Sequence, residues 1–195
     1  MPQAPKAVFF NNEKVGEIED CGDDRINAVK AYEMLVARGL VKQLSLAQRT
    51  FRQAAAFNGV AAQIWPQLRT DNPALANVAA PFVVNITFAI ELFLKTIAAL
   101  EERKVRGHQL DALFRSLPVS VQGTLEHRFP TALRHYGFQE EKSLSEALAD
   151  AGNAFVEWRY THERDAVEQG KLFRINVSVA AAYVLHGYCV DTGKV

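Results

Sequence analysis

Cysteine is nearly absent from this chain of 195 residues. Cys21 and Cys189 stand far apart and outside any metal-ligand spacing. That excludes a disulfide scaffold and predicts reduced thiols in the cytosol, with no metal site and no cofactor. Excess charge is absent too: Lys+Arg and Asp+Glu each number 22, so the formal net charge is zero. A protein that coats nucleic acid by bulk electrostatics is thereby disfavoured, while a local basic patch remains open. The first residues, MPQAPKAVFFNNEK, contain no long apolar segment of the signal-peptide kind. There is no Walker loop, no Gly-x-Gly-x-x-Gly, no Gly-x-Ser-x-Gly and no paired Glu-x-x-His. P-loop, dinucleotide-fold, α/β-hydrolase and di-iron bundle chemistries are therefore not expected. Internal repeats and low-complexity segments are also missing.

What is present is one long apolar run, Ala80 to Lys104, with Glu91 and Lys95 in its middle. It has the length of a bilayer span. At the centre of a membrane helix, however, each of those charges would cost about 2.5–3.5 kcal/mol. Pro81 and Asn85 add to the objection. The run reads instead as the central buried helix of a bundle, because a helix apolar on most sides must be covered on most sides. No membrane association is expected.

The remainder of the chain supports an all-α, up-and-down helical bundle with a short N-terminal β-hairpin. Residues 1–22 form the N-terminal arm or hairpin: Ala7 to Phe10 and Val15 to Ile18 are β-prone and flank the turn-prone Asn11-Asn12. Residues 23–195 form a single helical domain. Asp23 or Asp24 caps a helix running to Arg38, with Gly39 as its stop and Ile26, Val29, Ala31, Tyr32, Leu35 and Val36 as its apolar positions. Ser45 and Gln48 have capping-box spacing, and Phe51, Ala54, Ala55, Ala61, Ala62 and Trp65 follow with a 3.6-residue period. Pro66 kinks or ends that helix. Gly107 is the stop after the central helix. Asp111 to Leu117 is a short helix, Val119 to Tyr136 is helical with an interruption at Pro130, and Ser143 with Glu146 opens a helix that carries Phe155 and Trp158. A last helix covers Phe173 to Val190.

Two groups of residues could carry chemistry. Glu91 and Lys95 are one helical turn apart; burial would require partners, and His108, Arg159 and Tyr160 are the candidates. They form either a polar cluster that holds the helices in register or part of a binding site. Arg159 and His162 lie three apart and share a helix face. An imidazole moves protons near neutral pH, and a guanidinium grips phosphate. Together they suit metal-independent RNA cleavage, in which a 2′-hydroxyl attacks the adjacent phosphate. The alternative is that Arg159 pairs with Glu163 or Glu91 while His162 packs beside Trp158.

Pro81 to Asn85, Ala89 to Lys95, Gly107 to Leu110 with Leu113-Phe114, and Phe155 to Glu163 (FVEWRYTHE) together resemble the HEPN family, the higher eukaryotes and prokaryotes nucleotide-binding domains. The resemblance spans about Ala54 to Tyr188. It implies a helical bundle of bacterial type and frequent homodimerisation. It also implies roles in RNA processing, toxin–antitoxin pairs or phage defence, with RNA, a nucleotide or an antitoxin as partner. Catalytic members are similar in an Arg-x(4–6)-His motif. Here Arg159 and His162 have two residues between them, Arg103 and His108 four across Gly107, and Arg128 and His135 six across Pro130. The expectation is a cytoplasmic HEPN-like binding protein with Asn85, Glu91, Lys95, His108 and Tyr160 at its site. The alternatives are a ribonuclease using Arg159 and His162, and a non-catalytic interaction module.

Overall fold

In a computed structural model, the described residues are 4–69, 78–139, 142–159 and 174–195, with the side chains of Arg69 and residues 154–159 outside the description. Among them are two strands, seven α-helices and one 3-10 turn, a mostly helical fold with a small antiparallel sheet. The chain divides into two compact units, Met1–Leu44 and Ser45–Val195.

The first unit holds β1 (Lys6–Phe10), β2 (Glu13–Ile18) and α1 (Asp24–Ala37). The strands pair from Lys6↔Ile18 to Phe10↔Glu13, with a register shift between Val8 and Phe9. Asn11 and Asn12 both have positive φ, 50° and 66°, as a tight hairpin turn demands and as asparagine tolerates. Asp23 caps α1 through Arg25 N–H and Ile26 N–H. Gly39, at φ +70°, ends the turn that follows. The inward face of α1 differs from the expected one. Of the expected positions Ala31, Leu35 and Val36 are covered, together with Asn27, Lys30 and Met34, whereas Ile26, Val29 and Tyr32 are exposed. Asn27 sets this orientation: its Oδ1 accepts from Cys21 N–H at 2.9 Å and its Nδ2 donates to Asp20 at 2.7 Å. Gly16 leaves room for the helix, since a Cβ there would sit 2.8 Å from Met34 Sδ.

The second unit is built around α3 (Ala79–Leu100), whose 22 residues include 13 that are buried. Helices α2 (Leu46–Ile64), α4 (Leu110–Arg115), α6 (Leu144–Arg159) and α7 (Ile175–Asp191) all pack on it. Its most extensive neighbour is α2, which buries Ala47, Ala54 and Ala61 at seven-residue spacing. Phe51–Phe93 and Phe57–Phe88 ring contacts, at 6.0 and 4.6 Å, lock the two helices together. Among the described residues α3 is the one helix long and apolar enough to cross a membrane, and 67% of that window is buried within the fold.

Both expected capping boxes form. Ser45 and Gln48 exchange hydrogen bonds at 3.1 Å, and Ser143 and Glu146 do the same at 3.2 and 2.9 Å. A second carboxylate joins this box: Glu126 accepts from Leu144 and Ser145 N–H at 2.7 and 3.0 Å. The two donations from Ser143 hold the Glu146 carboxyl below its usual range. The 3-10 turn Trp65–Arg69 takes over from α2 at Pro66.

Two expectations are corrected. Helix α5 (Val119–His135) runs through Pro130 without a break. Proline removes one N–H bond, and the helix survives because Leu125, Phe129, Ala132 and Leu133 are anchored in the core on both sides of it. Helix α3 does not continue to Gly107. It stops at Leu100 in a Schellman turn, with Glu102 N–H to Ala99 O at 3.2 Å and Arg103 N–H to Ala98 O at 2.8 Å. Glu102 occupies the left-handed position at φ 55°, normally glycine's.

That position yields a stability prediction. Glu102→Gly relieves a left-handed cost of about 1–2 kcal/mol, less glycine's added chain entropy of about 0.5–1 kcal/mol. Denaturant unfolding should show a net gain of a few tenths to about 1 kcal/mol, and a loss would contradict the turn. The cysteines yield another. Cys189 is buried on α7, and burial pushes its thiol up to about 12, while Cys21 is exposed. A thiol reagent at neutral pH should modify one thiol in the folded protein and the second only in denaturant.

Candidate functional site

Glu91 and Lys95 lie one turn apart on α3, so their side chains meet on one face. Lys95 Nζ donates to Glu91 Oε1 at 2.7 Å. Glu91 is 4% exposed. A carboxylate that deep costs several kcal/mol unless donors reach it, and two do. The second is His108, whose Nδ1 lies 3.0 Å from the same Oε1. A carboxylate only accepts, so Nδ1 is the ring nitrogen that donates to it. The imidazole is otherwise open, with 79% of its side chain exposed.

The chain reaches this contact through the Schellman turn and the linker after it. Gly107, at φ +93°, reverses the backbone immediately before His108. Arg103 anchors the start of that linker by donating to Ser116 O at 2.9 Å, at the far end of α4.

Glu91 and His108 form part of the wall of a cleft of about 590 Å³. Thr87 and Phe88 extend that wall along α3, Asp111 comes from the first turn of α4, and Asn153 from α6. This volume is in the range that takes a small organic ligand. Thr87 is 2% exposed and its hydroxyl has no hydrogen-bond partner among the described residues. That is unusual, because buried hydroxyls normally find one and a missing bond costs about 1–3 kcal/mol. Asp111 is partly engaged, receiving Arg115 Nη2 at 2.5 Å.

The structure thus brings together three of the expected site residues, Glu91, Lys95 and His108. Asn85 bonds within its own helix, donating to Pro81 O at 2.7 Å. Six residues before Glu91, it falls on a different side of α3. Arg159 is the last residue of α6, and its side chain lies outside the described residues, as do Tyr160 and His162 entirely. The other Arg–His spacings do not converge. Arg103 is held at Ser116, Arg128 pairs with Asp191 at 2.6 Å, and His135 packs among Tyr136 and Tyr183. Thr87, Phe88, Asp111 and Asn153 were not anticipated. Thr87 had a legible signal, its i,i+4 spacing to Glu91; Asn153 had none, since only packing carries α6 to this wall. Among the described residues, no three His, Cys, Asp or Glu side chains gather as a metal site would require. No protein family, curated protein or solved structure matches the chain.

The two donors to Glu91 should differ in worth. Lys95→Met removes the half-covered partner of a buried charge and should destabilise by about 1–3 kcal/mol. His108→Ala removes an open ring and should cost less than about 1 kcal/mol. Urea unfolding of both variants measures this; equal losses would mean that His108 is as structural as Lys95.

Proposed function

We propose that this chain is a HEPN-like helical binding protein of bacterial type whose cleft beside Glu91 takes a nucleotide or RNA. We place it in the cytoplasm as a homodimer, in a toxin–antitoxin or defence setting with a protein partner. The observation that carries the reading is the convergence of two separated motifs on one carboxylate. Ala89 to Lys95 and Gly107 to Leu110 meet where Lys95 and His108 both donate to Glu91, at 2.7 and 3.0 Å, on the wall of a cleft of ligand size. The recruitment of an otherwise exposed imidazole from a loop supports a working site, since loop residues positioned by a rigid scaffold are where binding function concentrates.

The test is a titration of the full chain with a labelled RNA oligomer and with purine nucleotides. Saturable binding is expected, weakened about tenfold by Glu91→Gln, the scale of losing a hydrogen bond to a charged group. Binding unchanged in both Glu91→Gln and His108→Ala would remove the cleft as the site. Cleavage of the oligomer that disappears in Arg159→Ala and in His162→Ala would turn the binding protein into a metal-independent ribonuclease.

A further inference from the structure

The geometry points to the first unit as a homodimerisation module: α1 lies antiparallel against α1 of a second copy, on the face of Ile26, Val29 and Tyr32, about a two-fold axis at Val29. This deepens the homodimer proposed above by giving it a surface, and it is independent of the cleft beside Glu91.

The first observation is that Met1–Leu44 holds almost no core of its own. Among its described residues Val8 is the one apolar side chain that is buried, and Asn27 the one polar side chain. A unit near forty residues buries too little surface to hold together unless a disulfide, a metal or association helps it. Cys21 is free, and no three His, Cys, Asp or Glu side chains gather among the described residues. Association is the remaining route.

The second observation is where the apolar surface went. Ile26, Val29 and Tyr32 are 48%, 56% and 39% exposed on successive turns of one 14-residue helix. They form a stripe, because three-residue steps keep side chains on neighbouring parts of one face. The hairpin occupies a different side: Met34 lies against Gly16, and Arg38 Nη1 donates to Val15 O. Val29 stands about half a turn around the helix from both. The stripe therefore faces away from the strands and is free to meet another helix.

The charges beside the stripe say which helix it meets. Arg25 and Glu33 flank Val29 at four residues before and four after, and both are exposed. The ion pairs of α1 run from Lys6 to Asp24 and from Lys30 to Glu19, and Arg25 and Glu33 have none among the described residues. An antiparallel copy turned about Val29 sets positions equally far before and after it level with one another. Arg25 then meets the Glu33 of the second copy, and the reverse pair forms by symmetry. Ile26 and Tyr32, three before and three after, come level in the same way, and Val29 meets itself. A parallel pair would set Arg25 against Arg25 and Glu33 against Glu33. The face is thus self-complementary in the antiparallel sense alone, as an isologous contact requires. One helix from each copy makes a contact smaller than the standard interface of about 1,600 Å², so the dimer should dissociate in the micromolar range.

The test is sedimentation of the full chain from about 1 μM to about 200 μM, with charge reversals on α1. Both reversals suit the helix: a glutamate at 25 lies in the first turn and an arginine at 33 lies toward the C-terminal end, so circular dichroism should be unchanged. Arg25→Glu and Glu33→Arg, alone, each set like charges against one another and should weaken the dimer at least about tenfold. An equimolar mixture of the two single variants should dimerise again, because each carries the charge pattern the other needs. The double variant Arg25→Glu/Glu33→Arg should also self-associate. A chain that stays monomeric throughout the range overturns both this face and the homodimer. A dimer indifferent to the single reversals overturns this face alone. Loss in both single variants without recovery in the mixture or the double variant overturns the antiparallel pairing.

Discussion

Covering α3 is the constraint on which the second unit depends. Its side chains are apolar around most of the circumference, so no single partner helix can shield it. Four helices close on it, and each brings the surface its share of the contact requires. Along α2 that surface is small, with Ala47, Ala54 and Ala61 letting the backbones approach. Helix α7 adds Val177, Ala181, Val184 and Leu185 to the same buried core. Once α3 is enclosed, anything polar at its middle is enclosed with it. Glu91 is the consequence: a carboxylate carried inside by the helix that organises the core.

Supplying that carboxylate with donors shapes the chain beyond α3. Lys95 follows from helical spacing and costs no extra backbone. His108 does not; it requires α3 to stop early, a left-handed Glu102 to turn the chain, and Gly107 to bring it back. A helix terminus and a site are thus one device here. The same economy appears at α6, where Glu126 of a neighbouring helix satisfies two end N–H groups that the Ser143–Glu146 box leaves open.

Features set by near neighbours in the chain were legible beforehand. The Asn11-Asn12 turn, both capping boxes, the Gly39 stop and the central apolar helix all follow from residues within a few positions of one another. The reading faltered where a distant contact outweighs a local preference. Pro130 should break a helix, yet core anchoring on both sides carries α5 through it. Ile26, Val29 and Tyr32 looked like an inward face, but the hydrogen bonds of Asn27 turn α1 so that they face out. Gly107 looked like the helix stop, while Glu102 took the left-handed position several residues earlier.

For the site the division is similar. Glu91 and Lys95 as a pair, and the need for a further partner, were determined by the sequence alone, because 3.6-residue geometry and the cost of a buried charge hold in any fold. Which partner arrives is a different matter. That His108 completes the pair, that Asn85 turns to its own helix, and that Thr87, Asp111 and Asn153 share one wall were decided only by the tertiary structure. The reason is physical: helical spacing acts over one turn, whereas the cleft is made by α3, α4 and α6 meeting, and nothing in the local pattern of any one of them encodes the distance to the others.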